Sequence, residues 1–291
     1  MLFHSIIQMI QIMRNTYLDL LKFMAIIIMI LDHVGNYLLS QDLPVTHVIR
    51  GIGRLAMPLF FIVHGYLLVQ RPDLPSFTRI SKLFMYGSFL SIGLYIATDE
   101  FTLNILFQFA LIELFWSKLV SVFTIDKKLL AGFEEQEKLY EVSRSFAEDF
   151  SIFLLYVFAN LLLFIQFFYS LEQIIDYGIY PLFFAIAGLM FGFAHHHSDH
   201  KMENVSFMVL ITTLSFQYNP ILSLLIGALV DASMLYYSLP AFLVPVLIWY
   251  IPKANEIQLP TFHSPIALVS RNALNIYVIH LSIFIIVSAY L

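Results

Sequence analysis

Cysteine is absent from this 291-residue chain, which excludes disulfides, thiolate nucleophiles and cysteine-ligated metals. Charge is scarce as well. Fifteen Lys and Arg with twenty Asp and Glu amount to 12% of the residues, for a net charge of -5 at pH 7. The few basic residues are spread over short connections and form no stripe, so no nucleic-acid partner is expected. The motifs G-x-x-x-x-G-K-S/T, G-x-S-x-G and H-E-x-x-H are missing, and with them the usual soluble triphosphatase and hydrolase readings. There is no internal repeat. The start lacks a basic segment with a small-residue cleavage site ahead of the first apolar block, so that block reads as a retained span.

What remains is apolar. Hydrophobic residues make up 60% of the chain, with 29 Phe and 16 Tyr, and the mean hydropathy is +0.83. A helix that crosses a bilayer needs about 20 mostly apolar residues, and such blocks recur almost end to end. The expectation is an all-α polytopic membrane protein, one domain over residues 1–291 with about ten transmembrane helices. They fall near 17–39, 46–70, 79–98, 102–123, 150–170, 174–194, 204–218, 220–237, 239–251 and 266–289. Between 204 and 251, two long spans are the alternative to three short ones, because Pro220 and Pro240 can kink helices rather than end them.

Orientation follows from the basic connections. Arg14, then Arg71, Arg79 and Lys82, then Lys127, Lys128, Lys138 and Arg144, then Lys201 fall on one side. The opposite connections hold Asp42, Asp99, Glu100, Glu172 and Asp176, with Lys253 as the exception. The amino terminus is therefore expected in the cytoplasm. The polar insertion 125–149 alternates its charges at three- and four-residue spacing, which suggests an amphipathic helix on the cytoplasmic surface.

Ionisable residues inside apolar spans are costly unless paired or set in a wet cavity, so they mark candidate sites. Lys22, Asp32 and His33 share the first span. Eleven residues make about three helical turns, so Lys22 and His33 lie on one face, roughly 16 Å apart. Arg50 and Arg54 enter the second span from the same outer side, with Arg54 at the depth of His33. An imidazole, a carboxylate and a guanidinium can thus meet in the outer half of the membrane. Such a set suits acid–base chemistry and the holding of an anion. The bland alternative is an Asp32–Arg54 ion pair that only locks two helices.

His64 lies off the arginine face, where a core hydrogen bond is its expected role. His280 sits near the midplane of the last span, on a helix that also carries Arg271, Asn272 and Asn275. The run of His195, His196, His197 and His200 is not expected to bind metal, because neighbouring histidines do not converge without a turn. Gln108, Glu113, Asn160 and Asp231 read as helix-to-helix contacts or cavity lining.

These residues lie in segments that resemble a known family. LDLLKFMAIIIMILDHVG at 18–35 and GIGRLAMPLFFIVHGYLL at 51–68 resemble the opening of the TraX family, the F-pilin acetylation proteins. NILFQFALIEL at 104–114, DYGIYPLFFAIAGLMFG at 176–192 and SRNALNIYVIHLSIF at 270–284 are similar to its fourth span, its Asp-Tyr-Gly segment and its closing helix. The opening is more distantly similar to the wider transmembrane acyltransferase group, including the acyltransferase-3 proteins. Those carry Arg-x10-His where this chain has Lys22 and His33, so a bidentate arginine contact is not carried over.

The resemblance implies a multi-pass protein of the bacterial inner membrane. It implies an acetyltransferase, acting on N or O, that moves an acetyl group from cytosolic acetyl-CoA to an acceptor at or across the bilayer. That acceptor would be the terminal amine of a pilin or a hydroxyl of a surface glycan. Within that chemistry His33 is the expected general base and Asp32 its orienting partner. Arg54 stands nearest the reacting carbonyl or the coenzyme phosphates, Lys22 meets the entering coenzyme, and His280 completes the coenzyme pocket. A transporter is the rival from another class, since intramembrane His, Asp and Arg also build proton relays and anion sites. A scaffold of a secretion or conjugation apparatus is the third. The absence of two related halves counts against transport.

Overall fold

The computed structural model describes residues 16–40, 43–70, 76–99, 101–117, 175–197, 200–218, 243–249 and 263–288. The insertion 125–149, the spans expected at 150–170 and 220–237, most of that at 239–251, Asn160, Asp231 and Lys253 lie outside them. Among the described residues the chain is helical, with one isolated bridge between Leu103 and Ile175.

Helix α1 runs over Thr16–Tyr37. After a short connection, α2, Pro44–Gly53, starts on a proline whose fixed φ suits a helix's first turn. It continues into α3, Ala56–Gln70, through a local break at Arg54 and Leu55. Pro58 accounts for the break, because it has no N–H to return to the Arg54 carbonyl four residues back. Helix α4, Phe77–Thr98, is capped by Ser76, whose side chain accepts from the Arg79 N–H, and ends on Asp99 in the left-handed region at φ 61°.

The fourth span begins later than expected. Residues 101–105 are held apart by the Leu103–Ile175 bridge, and the Asn104 side chain accepts from the Leu106 N–H at 3.1 Å to cap α5, Leu106–Ser117. The next helix is likewise delayed. Asp176 to Ile179 form a turn, with Tyr177 at φ 61° and Gly178 at φ 57°, before α6, Tyr180–His197. Then come α7, His200–Tyr218, and α8, Leu243–Trp249. The last expected span is broken: α9, His263–Arg271, and α10, Ala273–Ser288, meet at 74°. At the bend the Asn272 side chain donates to the Leu268 carbonyl at 2.9 Å, the same carbonyl that accepts the Asn272 backbone N–H at 3.2 Å.

Among the described residues, two helices are long and apolar enough to cross a membrane, Pro44–Gln70 and Phe77–Thr98, and the bent pair makes a third if it is one span. Helix α3 lies against α6, and α6 against α7. This core gathers Leu59, Phe61 and Ile62 of α3 with Phe184 and Phe191 of α6, all nearly without exposed surface. The approach is close enough that a Cβ on Gly188 would overlap the Ile62 carbonyl, and one on Gly65 the Ala185 carbonyl. A second cluster joins α4, α5 and α10 through Leu83, Leu90, Leu106, Ala110 and Leu281.

Helix α1 bridges the two clusters. It packs on α2 and α3 and also on α9 and α10. The Ser270 hydroxyl donates to Asp19 at 2.7 Å at one end of this contact, and His33 meets His280 at the other, so α1 and the final helices run in the same direction.

Candidate functional site: a polar cavity along α1

A cavity of about 500 Å³ follows the seam between the two apolar clusters. Lys22, Met29, Asp32 and His33 of α1 line it. Since helical residues rise about 1.5 Å each, Lys22 and His33 mark points roughly 16 Å apart along this wall. The helix period therefore delivers both groups to one space, as the spacing predicts.

The Lys22 end is cationic. Arg79 and Lys82 reach it from the first turns of α4, and Arg271 from the α9–α10 bend, which Ser270 ties to Asp19 in the first turn of α1. His64 of α3 and Glu113 of α5 face each other there at 3.6 Å. Glu113 has no exposed surface and receives the Arg79 Nε–H at 2.6 Å. A carboxylate so placed needs its cation, because an unpaired buried charge costs several kcal/mol. His64, expected to make a core hydrogen bond, is buried and stands on the cavity wall beside that pair. Ala273, Leu274 and Asn275, the first turn of α10, line the wall next to Arg271 and add the positive end of a helix dipole to this end of the cavity.

The His33 end combines Asp32, Asp176, Tyr177 and Tyr277. Asp32 is buried and lies in the electrostatic field of Arg54 and Arg50. Its side chain packs on Gly53, where any Cβ would strike it, so the glycine is what lets a carboxylate sit between α1 and α2. Arg54 stands behind the wall, its guanidinium carbon 5.6 Å from the centre of the Tyr177 ring, a cation–π distance. The turn that presents Asp176 and Tyr177 is pinned from α5, where Gln108 donates to the Asp176 carbonyl at 2.8 Å. Asn104 and Tyr277 join their side chains at 3.0 Å.

His33 has a different partner from the one expected. Asp32 and His33 are adjacent on a helix and point about 100° apart, so neighbours of this kind do not face each other. The ring of His33 instead meets His280 of α10, Nδ1 to Nε2, at 2.7 Å. His280, expected to contact the coenzyme, stands behind His33 and is not among the residues lining the cavity. The two rings are nearly parallel, 4.9 Å between centres, and Tyr37, Phe284 and Tyr277 pack around them edge-on.

Arg79, Lys82, Arg271, Asp176 and Tyr177 were not read as site residues from the sequence. Arg79 and Lys82 served only to orient the chain, yet they are three apart and so share a helix face. Elsewhere, His195 meets the Tyr66 hydroxyl at 3.0 Å, and His200 meets Glu203 at 3.4 Å. These two members of the histidine run therefore have separate partners.

Taken together, these features define, among the described residues, a helical protein with helices long and apolar enough to span a membrane, built around a cavity that is cationic at one end and holds an imidazole at the other. The chain belongs to the TraX family, whose model, described as TraX protein, matches residues 17–288. It is also 37% identical over 94 residues to the uncharacterized protein RP591 of Rickettsia prowazekii (strain Madrid E), a match covering 32% of this chain and 34% of that protein. The chain thus matches about a third of the length of that relative. No solved structure matches.

Proposed function

We propose that this chain is an acyltransferase of the bacterial inner membrane, with about ten spans and a cytoplasmic amino terminus. It takes an acetyl group from cytosolic acetyl-CoA and passes it to an amine or hydroxyl presented in the outer half of the bilayer, the terminal amine of a pilin being the first candidate. The observation that carries this reading is the single cavity joining Lys22, Arg79, Lys82 and Arg271 at one end to His33 at the other. The cations suit the phosphates of a coenzyme, while its acyl end points along α1 toward the imidazole. There His33 takes the acceptor's proton and returns a proton to the departing sulfur. Arg54, held against Tyr177 behind the wall, adds a permanent positive charge to the field at the His33 end, where the carbonyl oxygen becomes negative during transfer.

The α9–α10 bend favours a second reading, since broken helices next to an ion site are a feature of transporters. One experiment separates them. The detergent-solubilised protein is mixed with acetyl-CoA and a pilin amino-terminal peptide as acceptor, and both thermal stability and coenzyme release are followed. The expected result is stabilisation by acetyl-CoA but not by inorganic phosphate, with coenzyme release lost in His33→Ala while stabilisation remains. Release at the wild-type rate from His33→Ala removes His33 from the chemistry. The acceptor is identified by mass spectrometry of surface molecules from cells with and without the gene, as the species that lacks one acetyl group.

A further inference from the structure

His33 is a useful base only if the nitrogen facing the cavity carries a lone pair, and a neutral imidazole has one such nitrogen and one N–H. The chain of contacts behind His33 decides which is which. A backbone carbonyl can only accept. At 2.6 Å from the Ile276 carbonyl, His280 Nδ1 must therefore carry the hydrogen of its ring. In the neutral ring His280 Nε2 is then bare, so the hydrogen in the 2.7 Å contact with His33 belongs to His33 Nδ1. That leaves Nε2 of His33 bare, on the ring edge away from His280.

We infer that His280 is a positioning residue that holds His33 as its Nδ1–H tautomer, so that His33 Nε2 is the nitrogen that exchanges protons with the acceptor and the leaving sulfur. The inference rests on the acyltransferase reading for its chemistry and on hydrogen-bond direction for its geometry. The acceptor N–H or O–H gives its proton to His33 Nε2 as its nitrogen or oxygen bonds the acyl carbon. The carbon–sulfur bond breaks, and the sulfur leaves as a thiol with that proton. While His33 is charged, its Nδ1–H still donates to His280 Nε2, and His280 still donates to Ile276, so the charge meets two aligned acceptors in series. The surrounding Tyr37 and Phe284 rings keep both imidazoles in this orientation. Asp32, by contrast, has no place in the series; it belongs to the Arg50 and Arg54 field.

Two substitutions and one spectrum test this. His280→Phe fills the aromatic site but accepts nothing, whereas His280→Gln brings an amide oxygen to the position of Nε2. For His280→Phe we expect kcat to fall about 100-fold with KM for acetyl-CoA unchanged, and for His280→Gln we expect at least a tenfold recovery. Equal losses in both variants overturn the inference. So does a raised KM with unchanged kcat in His280→Phe, which returns His280 to the coenzyme. Independently of activity, nitrogen NMR of histidine-labelled wild-type protein should show His33, assigned by its absence in His33→Ala, protonated at Nδ1 and bare at Nε2. The opposite tautomer overturns the inference even if the variants fail to fold. Wild-type protein that never transfers acetyl overturns the acyltransferase reading instead, and the spectrum still decides the tautomer.

Discussion

Glu113 is the residue on which the cationic end of the cavity is assembled. It has no exposed surface, yet the Arg79 side chain that pairs with it at 2.6 Å is 42% exposed. The pair therefore joins a buried anion to a cation that still reaches the cavity mouth. Removing Arg79 takes from the buried carboxylate its 2.6 Å partner and leaves His64 at 3.6 Å, whereas Glu113→Gln removes the charge and keeps an acceptor. Arg79→Ala is expected to destabilise the protein by about 1–3 kcal/mol, the usual cost of orphaning a buried acceptor, and Glu113→Gln by less. Thermal melts of the two variants in detergent check this, and equal melting temperatures refute it. Lys22 has another task. It lines the same end as a point charge, so Lys22→Ala should raise KM for acetyl-CoA roughly tenfold, about 1.4 kcal/mol, with kcat little changed. A fall in kcat at constant KM would place Lys22 nearer the chemistry than its position on α1 allows.

At the scale of elements, α3 and α6 form the tightest seam among the described helices. Gly188 and Gly192 are four apart on α6 and lie over Ile62 and Tyr66 of α3, the small-x-x-x-small arrangement that lets membrane helices approach closely. Ile62 is two residues from His64, so this seam also holds one wall of the cavity in place. Gly188→Ala is expected to cost about 1–3 kcal/mol, because the new methyl meets backbone rather than a movable side chain. The check is a lowered melting temperature without a change in acetyl-CoA KM at low temperature. Among the described residues, which helices exist was largely legible in the sequence, because hydropathy and proline placement are local. The starts of α5 and α6 were not. They depend on the Leu103–Ile175 bridge and on the left-handed backbone at Tyr177, both of which need partners from distant parts of the chain. The same holds for the site. Lys22 and His33 could be placed together from the helix period alone, but the His33–His280 contact joins residues 247 positions apart, and no local pattern encodes it.

For the whole molecule, polarity ties the cavity to the membrane. The basic connections that argue for a cytoplasmic amino terminus include Arg79 and Lys82, and these residues also line the Lys22 end of the cavity. On the proposed reading, one set of charges both orients the chain and marks the door for a polyanionic donor. Coenzyme A does not cross a lipid bilayer unaided, because its phosphates would have to leave water. Only the face that carries these cations can then be supplied with it. In sealed vesicles with the cytoplasmic face outward, acetyl-CoA added to the medium should be consumed, and right-side-out vesicles should consume it only after permeabilisation. Because α10 runs parallel to α1, a fluorescent reporter fused ahead of Met1 should report the cytoplasm and one fused after Leu291 the opposite side, as an odd number of crossings requires. If right-side-out vesicles turn over acetyl-CoA while still sealed, the donor enters from the His33 end. Proton transfer at His33 and coenzyme binding at Lys22 would then have to exchange places, which a helix with fixed direction and a lysine in its second turn does not permit.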